Sequence, residues 1–231
     1  MIEKNSPLKQ GILSGLPIAL GYFPIAIAFG ALAGQAQLSW LEAVLMSALV
    51  FAGASQFVAV SLLLVGTGPL QIITTTFFLN MRHLIMSLAL NDKMRGFPPA
   101  WKQGLSFFIT DETFAFLTLG EGESNHQRPP VFMAGLMVTA YLGWVSGTLV
   151  GGVGAHIIPP QITTAMTVGL YGLFIGLLVP SAKKSRPFIL VAVLSMVINW
   201  GLGHWIESGW AIVIATVLAA GVGVPLGGGW E

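Results

Sequence analysis

The chain has 231 residues, 55% of them hydrophobic and 8% charged, with a formal net charge of +1. Soluble domains carry roughly 25% charged residues, so a water-soluble domain of this length would lack the polar groups to cover its apolar surface. With a mean hydropathy of +0.81, the composition specifies a polytopic membrane protein whose solvent is lipid. The near-zero charge excludes recruitment of nucleic acid by a bulk field, and the absence of cysteine excludes disulfides and thiolate chemistry.

A polar N-terminus bearing Lys4 and Lys9 precedes an apolar run that is too long, and too interrupted by Pro and Gly, to read as a signal peptide. Eight apolar segments then follow, at residues 11–33, 40–65, 69–90, 104–119, 131–154, 162–179, 188–205 and 210–224; a helical span needs about 20 residues. Trp40, Trp101, Trp205 and Trp210 stand at segment ends, where interfacial indoles belong. No linker is long enough for a soluble domain, so residues 1–231 are expected to form one transmembrane domain, an all-α bundle. The 29 glycines and 13 prolines suit membrane helices.

Short basic loops face the cytoplasm. Lys4 and Lys9 place the N-terminus there, and Lys93, Arg95 and Lys102 mark a second cytoplasmic loop. Lys183, Lys184 and Arg186 mark a third, while the linker with Glu121 and Glu123 holds only Arg128 as a basic residue. Eight simple spans cannot put all three basic regions on one side. The pattern predicts six spans plus two re-entrant or broken segments, with 69–90 and 104–119 as the re-entrant pair. Seven or eight full spans, with one loop departing from the charge rule, is the alternative.

Polar residues inside apolar segments are expensive and mark candidate sites. In the first segment Pro24, just after Gly21 and Tyr22, removes a helix hydrogen bond and either opens the backbone toward a substrate or makes a plain kink. In the second, Gly53, Ser55 and Gln56 offer close backbone approach and an amide; the alternative is packing through small residues with Gln56 bonded to a neighbour. The third holds Asn80, Arg82 and His83 after Thr74, Thr75 and Thr76, which can bond back to carbonyls and open the helix. Arg82 either holds a carboxylate, pairs with an intramembrane acid, or snorkels to an interface. In the fourth, Asp111 and Glu112 are counter-ions for Arg82, a proton relay, or solvated groups on a segment that is not embedded. Segment five repeats small residues every fourth position, at Gly135, Thr139, Gly143, Gly147, Gly151 and Ala155, a stripe for close helix packing. Glu42, His156, Asn199, His204 and Glu207 lie near segment ends and read as interfacial. No metal or covalent-catalysis motif is present, so no enzyme activity, cofactor or metal is expected.

The ordered set Gly21-Tyr22-Phe23-Pro24 with Ala28-Phe29-Gly30, Glu42, Ser47, Phe51-Ala52-Gly53-Ala54-Ser55-Gln56-Phe57, Asn80-Met81-Arg82-His83 and Thr110-Asp111-Glu112 resembles the AzlC family. It covers roughly residues 11–120 strongly and the remainder more loosely. The resemblance implies the large subunit of a two-component branched-chain amino acid exporter in the bacterial cytoplasmic (inner) membrane, with a small hydrophobic partner of the AzlD or YgaH type. Combined with the residue reading, Tyr22, Pro24, Gly53, Ser55, Gln56, Asn80 and Arg82 are the expected substrate-binding residues. His83, Asp111 and Glu112 are expected to couple protons or pair charge, with Arg82 opposite Asp111 or Glu112. Phe51, Phe57 and Phe77 are expected around the substrate side chain. A passive channel and a purely structural membrane subunit are the rival functions.

Overall fold

A computed structural model describes residues 6–119, 128–155, 157–159, 161, 168, 172, 175, 179 and 186–226. Among them nine helices and no strand occur: α1 (Pro7–Gln35), α2 (Trp40–Val50), α3 (Gly53–Leu64), α4 (Pro69–Lys93), α5 (Pro99–Ser106), α6 (Asp111–Leu119), α7 (Pro130–Val153), α8 (Arg186–Leu202) and α9 (Ser208–Leu226). Three of these, α1, α4 and α7, are long and apolar enough to cross a membrane, and several shorter helices are equally apolar. The protein is therefore a polytopic all-α membrane bundle. Most of segment 162–179, with His156, Glu121, Glu123, Lys183 and Lys184, lies outside the described residues.

The chain divides into two compact units, Met1–Phe57 with Asn80–Leu170, and Val58–Leu79 with Tyr171–Glu231. The frame of the first is the pair α1 and α7. A Cβ on Gly11 would lie 2.2 Å from the Phe132 carbonyl oxygen, and one on Gly15 would lie 2.5 Å from that of Leu136. From the other side, Gly143 meets Ala19, Gly147 meets Phe23, and Gly151 meets Ile27. Both series rise together, so the helices run parallel, backbone on backbone, along their whole length. The small-residue stripe of segment five thus packs on α1 of the same chain. Pro24 does not break α1, which is one 29-residue helix with Pro17 and Pro24 inside it. Pro24 is exposed, away from the polar centre.

Segment 40–65 is the one that breaks. Ser39 and Glu42 form a capping box that starts α2, which gives Glu42 a defined task at its segment end. The helix stops at Phe51, whose φ of 45° is left-handed, and α3 begins at Gly53. The chain then turns back. Gln56 Nε2 donates to Ser47 Oγ at 2.9 Å, nine residues earlier, and the Phe57 ring packs on Phe29, toward the C-terminal end of α1, whereas Phe51 packs on Tyr22. The start of α3 therefore heads back to the end of α1 from which α2 came.

Segment 104–119 also breaks, as expected, between Ser106 and Asp111. Its second helix opens with a reciprocal cap. Thr113 N–H donates to Thr110 Oγ1 and Thr110 N–H donates to Thr113 Oγ1, at 3.3 and 2.9 Å. Helix α5 runs beside the N-terminal half of α7, where Trp101 and Gly104 line an apolar groove with Ala134 and Val138. Phe107 and Phe108 reach Tyr141. Helix α6 then descends until Phe116 lies under the Arg128 guanidinium, just before α7 starts. The second hairpin thus enters from the face opposite to the first.

Segment 69–90 is neither re-entrant nor broken, against expectation: it belongs to one 25-residue helix, about 37 Å long, and an unbroken helix cannot return to its face of origin. The threonines do bond back, Thr74 Oγ1 to the Leu70 carbonyl and Thr76 Oγ1 to that of Ile72, both at 2.8 Å, without opening the backbone. In the first unit Met86, Leu90 and Met94 join Leu105, Ile109, Leu117, Phe132 and Met133 in one cluster. This carries the C-terminal half of α4 toward the N-terminal ends of α1 and α7. The order is thus α1 up, a hairpin from above, α4 down, a hairpin from below, and α7 up. Arg95 and Lys102, with Asn91 and Asp92 bonded to them, lie on the side of Lys9 and Arg128. With no native cysteine, this is directly testable: single cysteines at Lys9 and Arg95 should label from one side of the membrane and one at Gln35 from the other. Labelling of positions 35 and 95 from the same side would refute the topology.

In the second unit α8 and α9 run antiparallel, with Gly223 against Val191. The first turn of α9 lies on α4, where a Cβ at Gly209 would be 2.7 Å from Gln71 Cγ and 2.8 Å from Thr75 Oγ1.

Candidate functional site

The tips of the two hairpins meet in the first unit, halfway along α1 and α7. The upper tip is Phe51-Ala52-Gly53 and the lower tip is residues 107–110. Tyr22 of α1 is 5% exposed. Its ring lies edge-on to Phe51 of the upper tip and to Trp144 of α7. Its hydroxyl donates to the Glu112 carboxylate of the lower hairpin, with Thr110 Oγ1 2.8 Å away as a second partner. Tyr141 of α7 makes a similar bridge. Its hydroxyl donates to the Ala48 carbonyl at 3.0 Å, while its ring contacts Phe51, Phe107 and Phe108.

The charges gather on the lower tip. Asp111 and Glu112 occupy the first turn of α6, where unpaired N–H groups and the helix dipole favour negative charge. Arg82 of α4 meets Asp111 at 2.7 Å, with the two side chains 32% and 24% exposed. The pair is half-covered at mid-depth. Asn80 Oδ1, two residues from Arg82, is buried with no hydrogen-bond partner among the described residues. His83 Nδ1 lies 3.3 Å from the Asn80 carbonyl, close enough to donate in the Nδ1–H tautomer. A carboxylate-bearing ligand would find a guanidinium fork here, and a cation would find two acids.

Not every expected site residue belongs to this centre. Tyr22, Arg82, Asp111 and Glu112 come together, with Asn80 and His83 beside them. Pro24 does not join them. Gly53 admits the Trp144 indole, since a Cβ there would lie 2.7 Å from its Cη2. Ser55 donates to the Ala52 carbonyl at 2.9 Å. Gln56 accepts from Trp144 Nε1 at 3.1 Å and donates to Ser47, which in turn bonds Thr148 at 2.8 Å. Ser47, Gln56 and Thr148 are all fully buried. This chain of bonds fixes the upper hairpin on α7, so Gln56 acts as a structural clasp. Phe77 is 63% exposed and belongs to the other unit. Ser47, Thr110, Thr113, Tyr141, Trp144 and Thr148 were absent from the expected site. The signal for α7 is the stripe Tyr141, Trp144 and Thr148, three and four residues apart beside the glycine stripe; for the lower tip it is the Thr-x-x-Thr cap.

Replacing Gln56 by leucine removes the acceptor of the buried Trp144 N–H and leaves Ser47 bonded to Thr148 alone. The expected loss is about 1–3 kcal/mol, read as a lower thermal midpoint in detergent. An unchanged midpoint would refute the clasp.

The AzlC protein family profile matches residues 17–158. Relatives include an "Uncharacterized membrane protein" of Archaeoglobus fulgidus, 30% identical over 100% of this chain and 98% of its own length. "Inner membrane protein YgaZ" of Escherichia coli is 30% identical over 82% of this chain and 79% of its own length. "Branched-chain amino acid transport protein AzlC" of Bacillus subtilis is 30% identical over 60% and 54%. No solved structure matches the chain. With a family profile spanning well over half its length, on top of a membrane bundle with a polar centre between two broken helices, the chain belongs to the AzlC family.

Proposed function

We propose that this chain is the large subunit of a proton-coupled exporter of branched-chain amino acids, with its N-terminus in the cytoplasm of a bacterial cell and a small AzlD/YgaH-like membrane partner. The observation that carries the reading is the Arg82–Asp111 ion pair beside Tyr22 and Glu112, between two hairpin tips that come from opposite faces. Broken helices meeting at mid-membrane are the usual frame of a transport site. A zwitterion needs an anion site and a cation site a short distance apart, and this cluster offers both. The substrate carboxylate takes Arg82, with Asn80 at hand. Its ammonium takes the acidic side, and its branched side chain lies against the aromatic rings of Phe51, Phe107 and Tyr141. Support for the substrate class comes from the name of the Bacillus subtilis relative. The basic residues at Lys9, Arg95, Lys102 and Arg128, which share one side, support a cytoplasmic N-terminus.

Leucine, valine and isoleucine efflux from proteoliposomes tests this. With the small partner present and a pH gradient imposed, uphill movement is expected, collapsing when a protonophore is added. Movement only down the substrate gradient would make the protein a passive channel, and no movement with any partner would make it a structural subunit.

A further inference from the structure

Asp111 and Glu112 are neighbours in sequence but have different partners. Asp111 is in an ion pair with Arg82. Glu112 receives the Tyr22 hydroxyl, and among the described residues no basic side chain forms an ion pair with it. Among the described residues, the titratable and charged groups around Glu112 are Tyr22 from α1, Arg82 from α4 with His83 beside it, and Asp111 on its own helix; the upper tip, Phe51-Ala52-Gly53, is neutral. Among these groups, with His83 neutral and Arg82 and Asp111 balancing each other, an ionised Glu112 is the surplus negative charge at mid-membrane. An uncompensated charge there is costly. Two species of one positive charge remove it: a proton, or the ammonium of a ligand.

Resting on the transport reading above, we propose that Glu112 is the exchange point at which a proton and the substrate's α-ammonium replace one another, while Asp111 positions Arg82 for the substrate carboxylate. The step balances. The protonated Glu112 carboxyl gives its proton to water on the side from which the amino acid arrives, and the resulting carboxylate takes the ammonium. When the amino acid leaves on the other side, Glu112 takes a proton there. One proton crosses in the direction opposite to each amino acid. The Tyr22 hydroxyl serves both states, donating to the carboxylate and accepting from the carboxyl.

The test is proton release on binding, with the chain and its small partner purified in weakly buffered detergent. Adding L-leucine below the titration of Glu112 should release about one proton per leucine bound, and leucine affinity should fall about tenfold per pH unit there. Leucine methyl ester, which keeps its ammonium below about pH 7, should show the same pH dependence in that range. 4-Methylpentanoate, which lacks it, should release no proton. Glu112→Gln should weaken leucine binding and abolish the release. Leucine binding without proton release from about pH 5 to about pH 9, or release unchanged in Glu112→Gln, would overturn the proposal and leave the transport reading standing. If wild type binds no leucine by calorimetry, the transport reading itself fails and takes the proposal with it. Should Glu112→Gln not fold, the contrast between methyl ester and 4-methylpentanoate on wild type decides alone.

Discussion

Gly151→Val is expected to eliminate the folded protein. A Cβ at this position would stand 2.0 Å from the Ile27 carbonyl oxygen and 2.7 Å from its carbon. The obstacle is helix backbone, which no rotamer change can relieve. α1 and α7 would have to separate along the seam that holds Gly11, Gly15, Gly143 and Gly147 as well, and lipid offers no hydrophobic force to reclose them, because close packing is itself the attraction. The expected loss exceeds about 4 kcal/mol, the range reserved for gross steric disruption. Membrane-inserted, monodisperse protein should therefore fall to near nothing in size-exclusion chromatography. Gly21→Val on the same helix is the control: nothing lies within 4 Å of its Cβ position, so a near-normal yield is expected. Equal yields for the two variants would show that α1 and α7 are not packed as described.

On the transport reading proposed above, Arg82→Ala is expected to abolish leucine efflux; it should also lower stability by about 2–3 kcal/mol. Breaking a fully buried pair costs roughly 3–5 kcal/mol, and the residual exposure of this pair, 32% and 24%, reduces that figure. The mechanism is specific: without the guanidinium, Asp111 and Glu112 become two uncompensated acids in one helical turn. Arg82→Gln combined with Asp111→Asn removes one charge of each sign. The double variant should regain most of the thermal stability yet still fail in leucine efflux, because the proposed carboxylate receptor is gone. Efflux at the wild-type rate from Arg82→Ala would remove Arg82 from the mechanism. A double variant no more stable than Arg82→Ala would remove the ion pair from the fold.

The sequence exposed what depends on composition and on intrinsically costly residues. Arg82 and Asp111 stand out because charge in lipid demands a partner, and with so few charges the candidates were few. The α7 glycine stripe was legible because close packing needs small residues at a fixed spacing. What escaped was direction. Pro24 looked like a breaker, but an exposed proline in a long helix is tolerated when the rest of the helix is held by a backbone-to-backbone seam. Gln56 read either as a ligand for substrate or as an amide bonded to a neighbour; it bonds Trp144 and Ser47, partners that only the hairpin fold brings to it. Loop-charge parity asked for two broken segments. It could not say which ones, since moving a break from 40–65 to 69–90 leaves the same residues on the same sides. Only local chemistry separates the two: a left-handed Phe51 followed by Gly53 stops a helix, whereas threonines bonded to carbonyls four residues back do not.

The paired hairpins carry a consequence for the sense of transport. One dips in from each face, α2 and α3 after α1, and α5 and α6 after α4. By microscopic reversibility every step of a carrier's cycle can run backwards, and the gradients across the membrane set the net sense. On the proton exchange proposed above, the sense of net flow is a property of where the protein is energised, and a reversed pH gradient across the same vesicles should reverse it without a single residue being changed.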